Sequence, residues 1–511
     1  MQATCDSVIG KQVKNARRVS TPLVAVNTPD PAQTIKAICA AVLAGCDDEP
    51  PPLVTWDFVQ GNEGSNEVGR AWANGDGQGC EGSAFAALLA AQKLPPGGLL
   101  FLHLTPHWIV EPSVIQAIWN LRDPFKSNQR CVVFLGKQIK LPAELADDVT
   151  VFDEPLPTEQ ELAAIVAKLH HDNQVDLPDD VRNQAVEALR GLSAFAADQV
   201  VAMSLRKTGL DLDGCWERKR QQIEQTPGLK VYRGEDTFDA IGGCQVIKTF
   251  LTRIMQGQAR PNAVVFVDEI EKMLGGKGDL SGISQDQLGT LLSYMQDHGA
   301  VGMIFVGPPG AAKSAIAKSA GNQAGIPTVQ LDLGAAKGSL VGQSEQQLRD
   351  ALKVITAVSN GRSLWIATCN AIADLPPELR RRFTLGTFFF DLPDAEERAA
   401  IWEIYTRKYQ IECFKTGKRK DSVQAVNPPP NDEGWTGAEI RQCCDIAWRL
   451  GCSLKEAAGF VVPVSKSAAD KLEALRNQAD CKFLSASQPG VYRKQVSPTK
   501  PETSARTLVL E

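Results

Sequence analysis

Gly302-Met303-Ile304-Phe305-Val306 is a short apolar run that opens directly into Gly307-Pro308-Pro309-Gly310-Ala311-Ala312-Lys313-Ser314, and a helix-forming stretch follows from Ala315 to Ala320. A buried strand, a glycine-rich loop and a helix in immediate succession form the local architecture of a phosphate loop. The loop amides and the helix N-terminus converge on an anion. Lys313 is placed to bridge the two outer phosphates of a nucleoside triphosphate, and Ser314 to ligate Mg2+. One position departs from the pattern, because Ala312 stands where a glycine precedes the lysine. A methyl group there costs little at helical φ and about 1 kcal/mol at positive φ.

Upstream, Ala263-Val264-Val265-Phe266-Val267 is a second apolar run, closed by Asp268 and Glu269. Two carboxylates at a buried strand end are costly unless a cation or hydrogen bonds compensate them. The same pair would suit the first turn of a helix beginning at Ile270. Beside a phosphate loop the chemical reading is the better one: Asp268 in the Mg2+ shell, Glu269 polarising the attacking water.

Strands and helices alternate twice along the 511 residues. Leu23–Val26, Leu53–Phe58, Leu99–Leu104 and Cys131–Leu135 are strand-like, with helices over Ala32–Leu43, Ala84–Gln92, Ile115–Leu121 and Glu159–Leu169. Residues 60–80, rich in Gly, Asn and Asp, form a loop in this reading. The expected organisation is an α/β module over 1–155, a helical subdomain over 156–230, a second α/β domain over 231–410, a helical domain over 411–487 and a flexible tail over 488–511. The tail is rich in Pro, Ser, Thr and Lys, and 410–434 is a polar connector holding Pro428-Pro429-Pro430.

The net charge of -6 weighs against a dedicated nucleic-acid binder. The thirteen cysteines are scattered, as in a reducing compartment. The five histidines have no metal-ligand spacing to them. Neither a signal core nor a membrane-spanning stretch is present, so a soluble, cytoplasmic protein is expected. The basic run Lys415–Lys420 has a solvated loop as its default reading.

Together these segments resemble the AAA+ ATPase family, and the resemblance extends over residues 235–460. Phe238-Asp239-Ala240-Ile241-Gly242-Gly243 is similar to the stretch that lines the adenine pocket, which implies nucleotide contacts by Ile241 and Gly242. Leu340-Val341-Gly342 is similar to the pore loop, with Leu340 and Val341 touching a threaded chain. Leu364–Asn370 resembles the sensor-1 strand, with Asn370 as the polar sensor, and Leu375–Phe383 the arginine-finger segment, with Arg382 first and Arg381 second as finger. Phe390–Asp394 is similar to the strand and helix start that follow. Thr436–Ile440 resembles the start of the lid helix, with Ala438 where some clades carry a second sensor arginine and Arg441 as a substitute.

The resemblance implies ATP and Mg2+ as cofactors and a hexameric ring of self-associated subunits. It also implies a protein client that is remodelled or threaded. A nucleic-acid remodeller and an ATP-dependent structural ring or filament are the alternative readings. The fold it implies is a P-loop parallel sheet of spatial order 5-1-4-3-2 under a helical lid. Here the acidic strand and its helix, Gln285–Gln296, come before the phosphate loop instead of after strand 2. Each of two crossovers must therefore pass over one strand. The N-terminal half, through Leu141-Pro142-Ala143-Glu144-Leu145, Val149–Pro157 and Gly191-Leu192-Ser193, resembles the degenerate first module of tandem AAA proteins of cyanobacteria and chloroplasts. That module has no phosphate loop, and its third strand ends in Thr105-Pro106-His107 instead of Asp-Glu, so no hydrolysis is expected there.

Overall fold

The computed structural model of the chain describes residues 7–44, 50–137, 139–173, 178–206, 209–271, 283–332, 343–371, 375, 377–412, 414–416, 423–425 and 427–494. It divides into two compact units, Met1–Cys215 and Trp216–Glu511.

The first unit is built on β1 (Leu23–Asn27), β2 (Leu53–Asp57), β3 (Gly61–Gly64), β4 (Leu99–Leu102), β5 (Cys131–Gly136) and β6 (Thr150–Asp153), in neighbour order β3-β2-β4-β5-β1-β6. All pairs are parallel except β2 with β3. The inner strands are apolar on both faces because helices cover both. Side chains alternate across the pleat. Val24 and Val26 meet Ile9, Val13, Ile38 and Val42 of α1 (Val8–Arg18) and α2 (Pro31–Leu43). Leu23 and Ala25 share the opposite core with α4 (Ala84–Ala91) and α5 (Pro112–Ser127). The loop expected over 60–80 instead contains β3 and α3 (Glu67–Ala73), whose first turn is capped by Asn66 accepting from the Gly69 amide. Its abundant Gly and Asn serve as cap and turn residues around short elements. The helices α6 (Glu159–Asn173), α7 (Asp179–Leu189) and α8 (Ala194–Ser204) follow, then a two-residue hairpin of β7 (Leu205–Arg206) and β8 (Gly209–Leu210), then α9 (Leu212–Glu224).

In the second unit the chain runs β9 (Leu229–Val231), α10 (Gln245–Gln256), β10 (Ala263–Val267), α11 (Ile283–Asp297), β11 (Val301–Val306), α12 (Lys313–Ala324), β12 (Thr328–Leu331), α13 (Gln343–Ser359), β13 (Ser363–Cys369), α14 (Pro377–Arg382) and β14 (Thr387–Phe389). The lid follows as α15 (Ala395–Lys408), the pair β15 (Phe414–Thr416) and β16 (Val423–Ala425), α16 (Gly437–Leu450), α17 (Leu454–Ala457) and α18 (Val464–Ser467). Then come α19 (Ala469–Ala479) and β17 (Leu484–Ser485). The sheet order is β17-β14-β11-β13-β10-β12-β9. Its central five strands have the 5-1-4-3-2 arrangement, with the acidic strand β10 between β13 and β12. Both crossovers pass over one strand as expected: β10 to β11 skips β13, and β12 to β13 skips β10. Residues Ile247, Leu251, Ile316 and Ala320 of α10 and α12 cover one face. Leu291, Met295, Leu348 and Ile355 of α11 and α13 cover the other.

Three further sequence expectations need correction. The connector over 410–434 holds the antiparallel pair β15–β16. The tail is not free from Gln488: residues 488–494 are described, Tyr492 is buried, and Leu484 bridges Val491. Nor does the helical lid extend to 487, because α19 and β17 return to the large sheet, where Ala479 and Ala486 are fully buried in its two cores. One tyrosine and a few small apolar residues within a polar stretch are enough to seat a strand on a sheet edge. The pore-loop residues Leu340 and Val341, the loop Gly275–Gly282 and the basic positions Lys418–Lys420 lie outside the described residues.

Candidate nucleotide site

The C-terminal ends of β10, β11 and β13 converge on a cavity of about 460 Å³. Its walls include Ile241–Cys244, the loop from Pro309 to Ser314, Asp268, Glu269, Asn370 and, from the lid, Tyr405, Ala438 and Arg441. Ligands in open parallel sheets bind at this edge. The structure thus brings together on one cavity the sequence candidates Ile241, Gly242, Asp268, Glu269, Pro309 to Ser314 and Asn370. Gly307 and Pro308 lie at the loop's entrance, where they accept hydrogen bonds from Lys313. Arg381 and Arg382 do not line the cavity.

Two glycines of the loop are fixed by close approach. A Cβ on Gly307 would lie 2.2 Å from the Phe390 carbonyl oxygen, and one on Gly310, at φ +82°, 2.9 Å from Thr436 Oγ1 on the lid. Ala312 has φ 64° and ψ 7° and is the N-cap of α12. This is the left-handed conformation that favours glycine, so the methyl group costs about 1–2 kcal/mol. The Lys313 ammonium is nearly buried and donates to the carbonyls of Gly307 and Pro308, each at 2.7 Å. Burial pushes its pKa down to about 8, against the pull of Glu271, Asp268 and Glu269.

The acidic strand end is wired to the phosphate loop and to the neighbouring strand. Asp268 Oδ1 accepts from the Ser314 hydroxyl at 2.8 Å and from the Thr368 hydroxyl at 2.6 Å. Glu269 has φ 48°, and its amide donates to Thr368 Oγ1 at 2.9 Å. The Asn370 side-chain amide donates to Glu269 Oε1 at 3.1 Å. The pairing of Val267 with Ala367 explains this geometry: one residue further along both strands, Asp268 stands opposite Thr368. Glu271 accepts from the Asn370 backbone amide at 2.9 Å, and burial with this carboxylate beside it pushes the Cys369 thiol up. Hydroxyl and carboxylate oxygens alone form this donor set, as a hard divalent cation requires. Among the described residues no cluster of three His, Cys, Asp or Glu could hold a metal by itself. That fits an ion whose remaining ligands are phosphate oxygens and water.

At the opposite end, Cys244 caps α10 in the left-handed region, and its amide donates to Glu397 Oε1 of α15 at 2.7 Å. Its thiol is pushed to about 12 by burial. Lys248 Nζ donates to the Ile241 carbonyl. Arg382 sits at the end of α14 and donates to Gln296 of α11 at 2.7 Å, whereas Arg380 and Arg381 are exposed. Sequence reasoning missed Thr368, Glu271, Glu397 and Tyr405. Thr368 was within reach: it stands two residues before Asn370 and one residue past the apolar run Leu364–Ala367 of its strand.

Comparison with known proteins bears on three stretches. Residues 10–154 match the SpoVK-like AAA ATPase N-terminal domain, and 160–226 the second domain of the same group. Residues 303–361, from the phosphate-loop strand to just before β13, match the ATPase family associated with various cellular activities (AAA). The acidic strand β10 lies outside and ahead of that match. Among curated proteins, the chain is similar to an uncharacterized AAA domain-containing protein, ycf46, of Gracilaria tenuistipitata var. liui. Identity is 26% over 396 residues, covering 68% of this chain and 73% of the relative. The ycf46 protein of Guillardia theta is 23% identical over 454 residues, covering 80% and 81%. These matches, which fall on both α/β sheets and on the phosphate loop itself, make the chain similar to AAA ATPases, with an N-terminal half similar to the SpoVK-like group.

Proposed function

We propose that the chain hydrolyses ATP at the cavity between the phosphate loop and the lid, and uses the cycle in a ring of subunits to remodel or thread a protein partner. The observation that carries the reading is the contact between Asp268, Ser314 and Thr368, with Asn370 on Glu269, beside a nearly buried Lys313. Gly307 to Ser314 would wrap the phosphates, and Lys313 would leave its loop carbonyls for them. Ile241 and Gly242 would face the base. Glu269, oriented by Asn370, would draw a proton from the attacking water. Mg2+ held by Ser314 and Asp268 would neutralise charge on the phosphates. Acidic strand and phosphate loop have exchanged their chain order, yet the sheet neighbours keep their carboxyl ends together, so the chemistry does not depend on which is translated first.

Arg381 and Arg382 are the fingers in this reading. Their segment lies away from the subunit's own cavity, which suits action on a neighbour's nucleotide. Because Arg382 is engaged with Gln296 and Arg381 is exposed, Arg381 reaches outward without breaking a contact. Leu340 and Val341 remain the proposed pore contacts. The strained Ala312 supports a second reading, a nucleotide-gated assembly with little turnover.

One experiment separates the two. ATP turnover of the purified chain, with and without unfolded polypeptide or single-stranded DNA, is compared with that of Glu269→Gln. Turnover lost in the variant with binding retained supports the motor. Equal rates in the two proteins sink the assignment of Glu269. Binding without turnover in either protein favours the gated assembly.

A further inference from the structure

Both walls at the base end of the cavity are held from behind by one segment that does not itself enter it. The first wall is Ile241–Cys244; the second is the hinge from Asp391 to Pro393 with the first turns of α15. After the lid, α19 and β17 bring the chain back to the sheet edge, where Phe388 pairs with Leu484 and Phe389 with Ser485. The Ala486 amide then donates to the Phe389 carbonyl at 3.0 Å, and the Ala486 carbonyl accepts from the Ile247 amide at 3.1 Å. That amide is in the first turn of α10, which would otherwise lack an intrahelical partner. The same segment thus ties the sheet edge to the start of the helix that follows the loop lining the cavity.

The second wall is held more tightly. Asp391 faces the cavity from the junction between β14 and the lid. Its carboxylate accepts from Arg476 Nε and Nη2 at 2.9 and 2.7 Å and from the Tyr492 hydroxyl at 2.6 Å. Tyr492 is fixed in turn, with its ring 4.5 Å from Phe389 and its backbone paired to Phe483 and Cys481 at 2.7 and 2.9 Å. Charge-assisted bonds of this kind, including a paired guanidinium contact, hold geometry better than neutral ones. Across the cavity, the Cys244–Glu397 hydrogen bond ties the two walls to each other. The lid is therefore mounted at two points: where the chain enters through Asp391, and where it leaves through α19 and β17.

We propose that residues 476–492 form a brace that sets the spacing of the two base-end walls, with Arg476 and Tyr492 acting as positioning residues for the nucleotide base through Asp391. The inference rests on the nucleotide reading of this cavity. The catalytic end, at Asp268, Glu269 and Asn370, has no contact with the brace among the described residues. Loosening the brace should therefore weaken binding and blur base discrimination while leaving the chemical step intact.

The test uses the full chain. Binding of a fluorescent ATP analogue, ATP and GTP kinetics, and thermal unfolding are measured for wild type, Arg476→Ala, Arg476→Lys and Tyr492→Phe. Arg476→Ala is expected to raise KM and Kd for ATP by about 5- to 10-fold, with kcat within about twofold. The preference between ATP and GTP should narrow, and Arg476→Lys should recover part of both effects. Tyr492→Phe, which keeps the buried ring, should move the same quantities by a smaller factor and serves as the test if Arg476→Ala does not fold. Unchanged affinity and base preference in Tyr492→Phe and in a folded Arg476→Ala overturn the brace. So does a loss confined to kcat. Absence of nucleotide binding by the wild type instead overturns the nucleotide reading on which the brace rests.

Discussion

The two sheets of this chain share a neighbour order and differ in what stands at their carboxyl edges. In the first unit the strands β6, β1, β5, β4 and β2 lie side by side; in the second, β14, β11, β13, β10 and β12 do. Even a backbone detail recurs. Two residues beyond the third-position strand, Leu104 has φ 55° in one and Glu269 has φ 48° in the other. Both residues take the left-handed conformation, but one is an exposed leucine where the other is a carboxylate. After the first strand the contrast is sharper. In the second unit Ala312, Lys313 and Ser314 open α12. In the first, Asp30 caps α2 and accepts from the Gln33 amide at 3.1 Å, Pro31 at the next position has no amide to offer, and Glu154 accepts from the Thr34 hydroxyl at 2.6 Å. The positive end of that helix is already occupied by the protein's own carboxylates, so a phosphate would meet repulsion where Lys313 offers attraction. The fold supplies an edge, and the residues placed on it decide whether that edge can hold an anion.

The largest expected effect tests that contrast directly. Lys313→Ala should abolish binding of a fluorescent ATP analogue by the whole chain, whereas the paired change Asp30→Asn and Glu154→Gln should leave it unaltered. Residual stoichiometric binding in Lys313→Ala would place a nucleotide in the first unit and break the comparison.

The arginine segments give the next contrast. Leu141-Pro142-Ala143-Glu144-Leu145 is followed by Ala146-Asp147-Asp148, and Leu375-Pro376-Pro377-Glu378-Leu379 by Arg380-Arg381-Arg382. In the first unit Asp148 pairs with Arg122 of α5 at 3.1 Å; in the second Arg382 donates to Gln296 of α11 at 2.7 Å. The contact between this helix and the segment after the Leu-Pro step recurs with the cation moved from one side to the other. Trans fingers can be worth about 10³–10⁵ in rate. Arg381→Ala should therefore lower turnover by at least about 100-fold with nucleotide affinity nearly unchanged, and mixing with Glu269→Gln subunits should rescue part of it. Arg382→Ala should do less, since its first loss is the Gln296 contact. The reverse ranking would assign the finger to Arg382. Absence of rescue at every mixing ratio would argue against action in trans.

Much of this was legible before the structure, for a physical reason. Buried strands such as Ala263–Val267 and Gly302–Val306 are unbroken apolar runs, and the polar residues just past them are the ones the fold brings to one cavity, so strand ends and candidate site are legible together. The sheet order did not depend on the order of the segments in the chain, because each crossover had only to pass one strand. What stayed hidden was tertiary. Nothing local marks Tyr492 as the partner of Asp391, since 101 residues separate them and the stretch around Tyr492 is polar. Thr368 depended on strand register, which becomes visible only once β13 lies beside β10. Arg382 illustrates the converse: its type and spacing suited a finger, and only the packing of α14 against α11 showed that its guanidinium is already engaged.

A smaller effect should separate the carboxylates of the first unit from those of the second. Burial raises the Glu154 carboxyl above its ordinary value, despite the Thr28 and Thr34 hydroxyls, with Asp30 and Glu161 adding to the rise. The folded unit therefore holds this proton more tightly than the unfolded chain does. The Glu154 contribution is most favourable below the ordinary glutamate range and is lost progressively as pH rises from about 4.3 through the raised folded value. Glu154→Gln should remove that part of the slope. Hydrogen exchange of the β1 and β6 amides, corrected for intrinsic rates, should show protection falling with rising pH in the wild type and a flatter profile in the variant. Identical profiles would show that Glu154 is not strained by burial.

The smallest expected effect concerns a helix start where the second unit bears a strain that the first avoids. Asp30 caps α2 at φ -134°, a conformation open to any residue, whereas Ala312 caps α12 at φ 64°. Replacing Ala312 with glycine would relieve about 1–2 kcal/mol in the folded loop. It would also give the unfolded chain more freedom, which offsets about 0.5–1 kcal/mol of that gain. The net stabilisation is about 0–1.5 kcal/mol, so the nucleotide-free Ala312→Gly chain should unfold at a temperature equal to the wild type's or a few degrees higher. If the strain also holds the loop amides away from their best positions on a phosphate, turnover should rise in step. A lower unfolding temperature would mean that the alanine methyl contributes packing that outweighs its backbone cost. Higher stability without faster turnover would mean that the left-handed turn is already set by Gly310 and the lid contact at Thr436. In that case the alanine is a cost in stability alone, and the phosphate loop of this chain works as one with glycine would.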